Sequence, residues 1–446
     1  MSDHKHHSQF RLLGSPRFMP LFVTQALGAF NDNIFKNALV ILITYSATAS
    51  LEGIDTQTLV ALAGGIFILP FFLFSATAGQ FADKMPKPEL VRKVKLFEIA
   101  IMVAAAIGFA LESPVMLLTV LFFMGTQSAI FGPLKYGLLP ELLEEEELVG
   151  GNALIETATF LVILIGTLLG SLIVLKAHGV TAVSILCIGI AVLGWMASKR
   201  IPDRPAASPD VKINYNVVSE TLKMVAFGYR DLPIFRSIIG ISWFWLVGSV
   251  FIILFPVFSR DVLSGNEQIV AMLLSIFSIG IGIGSLLCDK LLGGKVRDYY
   301  VPVGALGITL FSADLFFASE PMLATGTGEF IGIGAFLGVA KNWRIVGDLF
   351  GIAVCGGLYI VPLYAILQAR SEPHYRARLI AVNNVLNALA MVGASGFIYW
   401  LTDEGTSIPG IFLAIGLLNI PITLYVSFVV ISTAAKRVAK RLSSLS

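Results

Sequence analysis

The sequence predicts an all-α polytopic membrane protein, with twelve transmembrane helices in two pseudo-symmetric six-helix bundles. Three observations carry that expectation. Of 446 residues, 56% are hydrophobic and 13% charged, with a mean hydropathy of +0.83; a soluble domain carries about 25% charged residues. The apolar runs reach the roughly 20 residues that cross a bilayer as a helix, without the short alternating segments of a membrane barrel. Finally, a polar stretch with Pro202, Pro205 and Pro209 divides the runs into two sets of six.

In order, spans are expected near 18–45, 57–81, 93–111, 114–139, 150–175 and 179–198, then 233–258, 267–291, 298–318, 346–369, 377–400 and 408–435. This gives a tail over 1–17, a first bundle over 18–198, a central loop over 199–232, a second bundle over 233–435 and a tail over 436–446. Residues 319–345 are too long for a tight turn. Their apolar core, Phe330 to Val339, is too short to cross, so a re-entrant or interfacial segment is expected there.

Lys and Arg set the orientation. With both termini cytoplasmic, the inner side receives 24 of the 31 basic residues, among them Lys84, Lys87, Arg92, Lys93 and Lys95. The outer side keeps Lys176, Arg260, Lys341 and Arg344, and Lys36, Lys135 and Arg236 fall within or beside spans. The net charge of +2 is small, and nothing points to a nucleic-acid partner. Cys187, Cys288 and Cys355 each stand alone in a span. His4, His6 and His7 read as a solvated tail, and the following run is too long for a cleaved signal.

The polar stretch of the first span carries the chemistry: Asn31, Asp32, Asn33, Lys36 and Asn37, with Gln25 on the same side. Asp32 and Lys36 lie four residues apart and share a helix face, as do Asn33 and Asn37. An ionised side chain at mid-membrane costs about 2.5–3.5 kcal/mol on insertion scales, so these groups must face protein or water. The plainer alternative is an Asp32–Lys36 pair that neutralises itself and pins helices together.

The halves also echo each other. Gly79, Asp83 and Lys84 stand between spans two and three, and Ser285, Asp289 and Lys290 between spans eight and nine, each followed by a basic turn. Leu148 to Asn152 is echoed by Leu379 to Asn383, which pairs Glu156 with Asn387. Duplicated bundles around a midplane site are the usual construction of secondary transporters.

The Gly79–Asp83–Lys84 loop resembles the cytoplasmic loop motif of the major facilitator superfamily, with Pro86 where that motif has its second glycine. The resemblance implies that Gly79 permits close helix approach and that Asp83 accepts from a helix N-terminus, so Gly79, Asp83, Lys84, Asp289 and Lys290 are gating candidates. A solvated Asp–Lys turn is the alternative. Phe30-Asn31-Asp32-Asn33 with Lys36, together with Gly132-Pro133-Leu134-Lys135-Tyr136-Gly137 running on to Glu141 and Asn152, resembles the lysophospholipid transporter branch.

That branch implies flipping of lysophosphatidylethanolamine or lysophosphatidylglycerol from the outer to the inner leaflet of a bacterial inner membrane. It further implies a functional link to an acyltransferase/acyl-ACP synthetase, a monomer among membrane lipids, and no cofactor. With such a substrate, Lys135 meets the phosphate as a point charge, Asp32 an ethanolamine ammonium, and Asn31, Asn33 and Asn37 hydroxyls. Lys135 snorkelling to the interface is the alternative. Glu141 is either its partner or a substrate group, and Asn152 and Glu156 share one helix face, Glu156 being the proton site if transport is proton-coupled. Arg236 either closes the cytoplasmic side or anchors its helix there. The acidic run Glu144 to Glu147 reads as a solvated helix start, and Arg376 to Arg378 as an inner-leaflet anchor.

Two rivals stand beside this reading. A proton-coupled exporter of drugs or metabolites would depend strictly on the proton gradient. A membrane-bound lipid acyltransferase would need His followed by Asp five residues on, which none of the five His provides. No phosphate-binding Gly-x-x-x-x-Gly-Lys loop appears.

Overall fold

A computed structural model describes residues 8–45, 56–320, 322 and 330–428. The histidine tail, the last eighteen residues and much of 321–329 therefore lie outside the described residues. By packing, the chain divides into one unit of Met1–Asp231 with Gln368–Ala388, and another of Leu232–Leu367 with Leu389–Ser446.

The first unit holds α1 (Met19–Tyr45), α2 (Thr56–Lys84), α3 (Lys87–Ala110), α4 (Pro114–Leu142), α5 (Leu148–Val174) and α6 (Gly179–Ser198), followed by the shorter α7 (Val217–Gly228). The second holds α8 (Leu232–Val257), α9 (Glu267–Leu292), α10 (Val301–Ser319), the single-turn α11 (Ile333–Leu337), all but the last three residues of α12 (Asn342–Arg370), the latter part of α13 (Arg376–Asp403) and α14 (Ile408–Val426). Eleven of these helices are long and apolar enough to cross a membrane. α3 is long enough as well, but Lys93, Lys95 and Glu98 interrupt its apolar face.

The helix ends follow from local chemistry. Ser113, Asn216, Asn266 and Ser407 each turn a side-chain oxygen onto a free N–H of the first turn of α4, α7, α9 and α14. Gly293 ends α9 in the left-handed region, φ 59°. Pro86 ends α2, and α3 starts at once, six residues ahead of the expected span. The central loop is not wholly irregular, since Val217–Gly228 is helical.

Close approach in the first unit depends on Gly166 and Gly170 of α5. A Cβ on Gly166 would stand 2.9 Å from the Phe30 carbonyl oxygen, and one on Gly170 would collide with that of Ile34. This small-x-x-x-small spacing seats α1 directly on α5. Beyond Asp32, an apolar core closes the unit: Phe35, Leu39 and Leu42 of α1 pack with Met102 and Phe109 of α3, Leu121 of α4 and Val183 of α6. The second unit has a separate aromatic core, in which the Phe251 and Phe412 rings stack at 4.6 Å beside Phe255, Phe258 and Phe277.

Of the 319–345 stretch, the described part contains α11 and a bridge from Ile331 to Gly265. Ile331 donates to Ser264 and its carbonyl accepts from Asn266, which ties the segment to the turn before α9. Lys341 is exposed, and Arg344 forks onto Asp314.

Candidate functional site

α1 carries its polar residues at mid-length, about 20 Å along the helix axis from its start. Asn31 is fully buried, whereas Asp32, Lys36 and Asn37 are half-buried. Asp32 accepts from the Ser128 hydroxyl of α4 at 2.6 Å. Lys36 lies over the Phe67 ring of α2, 5.5 Å from its centroid. Among the described residues the two form no close ion pair; each also has a partner on another helix, Asp32 on α4 and Lys36 on α2. The amides of Asn33 and Asn37 donate one turn back along α1, to the carbonyls of Ala29 and Asn33 at 2.8 Å each. Asn37 also donates to Thr167 of α5, and Gln25 accepts from Thr159 of the same helix.

Behind Asp32 lies a network that the spans did not reveal. Glu98 of α3 takes Lys95 at 2.6 Å, Gln127 of α4 at 2.9 Å and Asn31 at 3.0 Å. All four side chains are 3% exposed or less, so the pair is dry and both carboxylate oxygens are satisfied. Lys95 thus does not belong with the inner loop charges. Its ammonium lies two turns into α3 and fills the space above Gly28, where a Cβ would strike it. The signal available in the sequence was Lys95 and Glu98 three apart, facing Gln127 in an otherwise apolar run.

One to two turns towards the face at which α1 begins, Lys135 of α4 is half-buried and sits 4.3 Å from the Tyr136 ring centroid. The Tyr136 hydroxyl donates to Glu156 of α5 at 2.6 Å, and Glu156 is fully buried. Pro133 and Pro140 flank Lys135 inside α4, interrupting its backbone ladder. Glu141 is not the partner of Lys135: it pairs with Lys87 at 2.6 Å, a lysine 1% exposed. Asn152 and Glu156 share a helix but not a cluster, because Asn152 exchanges two hydrogen bonds with Gln368 at 2.7 and 3.0 Å. The acidic run is only partly solvated, since Arg17 holds Glu147 at 2.6 Å.

At the α2–α3 turn, Gly79 packs against the first turns of α13. A Cβ there would lie 2.7 Å from Ala381 and 2.9 Å from the Ala377 carbonyl. Asp83, fully buried, accepts from the Ala377 amide at 3.2 Å and from Arg378 Nε at 3.1 Å. Arg376 and Arg378 are 9% and 7% exposed, so the expected leaflet anchor is corrected to a buried contact. Lys84 is half-buried and Lys290 exposed. Asp289 is buried at the end of α9. Arg236 lies between the rings of Tyr425 and Phe428, 5.6 Å from each, within the second unit.

The first unit therefore gathers three carboxylates, Asp32, Glu98 and Glu156, and three ammoniums, Lys36, Lys95 and Lys135, within membrane helices. Of the fully buried members, Lys95 and Glu98 hold each other and Glu156 is held by the Tyr136 hydroxyl. The half-buried ones, Asp32, Lys36 and Lys135, keep charge accessible. Such a set can receive a ligand bearing both signs.

Comparison with known proteins agrees with this architecture. The chain is 28% identical over 410 residues to the lysophospholipid transporter LplT of Enterobacter sp. (strain 638), covering 91% of this chain and 94% of that one. It is 26% identical to LplT of Serratia proteamaculans (85% and 86% covered) and 27% to that of Escherichia coli O157:H7 (85% and 87%). Among solved structures, the transporter FucP superposes with a TM-score of 0.70 at 12% identity, covering 93% of this chain and 99% of that one. A bacterial homologue of the iron transporter ferroportin gives 0.66 at 16%, covering 91% and 99%. At such identities these two speak for the fold alone. The family model described as Major Facilitator Superfamily matches residues 21–351, and the chain, a multi-pass membrane protein, belongs to that superfamily.

Proposed function

We propose that this protein is a secondary transporter moving lysophospholipids from the outer to the inner leaflet of a bacterial inner membrane by alternating access. The observation that carries the reading is the charge set of the first unit, in a chain aligned over nine-tenths of its length with a relative named for lysophospholipid transport. A lysophospholipid presents a phosphate, a small polar head group and one acyl chain. Lys135 meets the phosphate, and Asp32 meets an ethanolamine ammonium or a glycerol hydroxyl. Lys36 adds a second cation less than two turns of α1 from Asn31 and about three turns from Gln25. Asn33 and Asn37 spend their amide protons on α1 and α5, and so hold the helix rather than the ligand.

Gly79 and Asp83 gate the path through their contact with the start of α13, with Glu141 as support through Lys87. Both termini are cytoplasmic, the chain acts as a monomer, and the lipid delivered inside is substrate for an acyltransferase that restores its second chain.

Leaflet-resolved uptake of labelled lysophosphatidylethanolamine into proteoliposomes tests this. Asp32→Asn and Lys135→Ala should each lower the rate by on the order of tenfold, equivalent to about 1.4 kcal/mol, with unchanged melting temperatures. Normal transport by both variants removes the site. Uptake that vanishes without a pH gradient favours a proton-coupled carrier instead.

A further inference from the structure

The linker between α6 and α8 builds a second basic site. Between residues 208–212, α7 and residues 374–378 lies a cavity of about 690 Å³. Lys212, Lys223, Arg230, His374 and Arg378 line it against one acid, Asp210. Arg378 is committed to Asp83 and to the His374 carbonyl, and His374 stands 3.2 Å from Glu372. Lys212, Lys223 and Arg230 are exposed and form no ion pair among the described residues. Three uncommitted cations around one cavity call for an anion, and Lys and Arg together suit a phosphate.

The surroundings of the cavity are apolar. On α7, Val218 and Leu222 are 69% and 63% exposed, followed by Tyr229 at 60%, while Glu220, Met224 and Gly228 of the opposite face are buried. The spacings of four and seven put the exposed three on one stripe, beside Lys223 and Arg230. The linker is fixed at one membrane face, because it leaves α6 at Ser198 and enters α8 at Leu232, three residues after Tyr229. An exposed apolar stripe edged by cations at that level is the pattern of a helix lying in the interface.

We propose that this cavity binds the phosphate of an anionic membrane phospholipid, whose acyl chains lie along the Val218–Leu222–Tyr229 stripe. Because Arg378 lines the cavity and also holds Asp83, the bound lipid steadies the contact between α2 and the start of α13. The inference does not rest on what the protein transports.

The full-length chain in mild detergent is titrated with dioleoylphosphatidylglycerol, dioleoylphosphatidylcholine or glycerol 3-phosphate while its melting temperature is followed. Phosphatidylglycerol should raise it saturably, and the other two should not. In K212Q/K223Q/R230Q the midpoint should move to higher lipid by on the order of tenfold or more, whereas R200Q/K295Q/R297Q, with equal charge removed, should keep the wild-type midpoint. An unmoved midpoint in the first variant, or an equal response to phosphatidylcholine, overturns the proposal. Glycerol 3-phosphate acting as strongly as the lipid overturns the membrane source. On the unaltered protein, phosphatidylglycerol carrying a photoreactive head group should crosslink to peptides within 208–231, and labelling confined to membrane spans overturns the proposal even if the variants misfold.

Discussion

Glu98 receives three donors, of which Lys95 alone is charged, so removing Lys95 strands a carboxylate in a dry bundle. Lys95→Met should therefore destabilise the protein by about 3–5 kcal/mol, the cost of an uncompensated buried ion. The double variant Lys95→Met/Glu98→Met should recover most of that loss, as read from thermal unfolding in detergent. A double variant no better than the single would mean that the pair does not act as a unit. The same residues mark how far the site was legible. Asp32, Lys36, Lys135 and Glu156 stand out because each interrupts an apolar run. Lys95 and Glu98 do not, because they follow a basic turn, and only the burial of α3 from Lys87 onwards separates them from solvated neighbours. The partners of Glu141 and Asn152 are 54 and 216 residues away, and no spacing rule reaches them.

Among the helices, α1 owes its position to the two glycines of α5 beneath it. Gly170→Leu should force α1 outward, draw Asn37 from Thr167 and misplace Asp32. Transport should fall sharply, whereas Gly189→Leu on α6, where an added Cβ meets nothing, should be tolerated in the same assay. The junction of α2 with α13 makes a separate prediction. Asp83→Ala removes the acceptor of the Ala377 amide and of Arg378, a loss of about 1.5–3 kcal/mol for each bond involving a charged group. Amide exchange at residues 376–379 should quicken while that of α5 stays unchanged. The repeat of small residue, three positions and Asp in the sequence pointed to Asp83, but not to Arg378, whose basic neighbours made it look like a surface anchor.

For the whole molecule, the number and order of long helices were legible because hydrocarbon demands a minimum apolar length and permits few alternatives. α7 was not, since a short amphipathic helix outside the hydrocarbon escapes that demand. The packing division was equally hidden, as Gln368–Ala388 joins the first unit through contacts distant in sequence. Removing Lys95 from the inner set leaves the basic asymmetry strong. A periplasm-dependent reporter fused after Lys176 should accordingly be active, and one fused after Ser446 silent. The even tally of acidic and basic groups around Asp32 has an electrical consequence. Lysophosphatidylethanolamine, a zwitterion, would cross without displacing net charge, whereas lysophosphatidylglycerol would carry one negative charge towards a negative interior, against about 2.3 kcal/mol per 100 mV. A potassium diffusion potential set with valinomycin should therefore slow uptake of the glycerol lipid and leave the ethanolamine lipid untouched, making membrane voltage a selector between head groups.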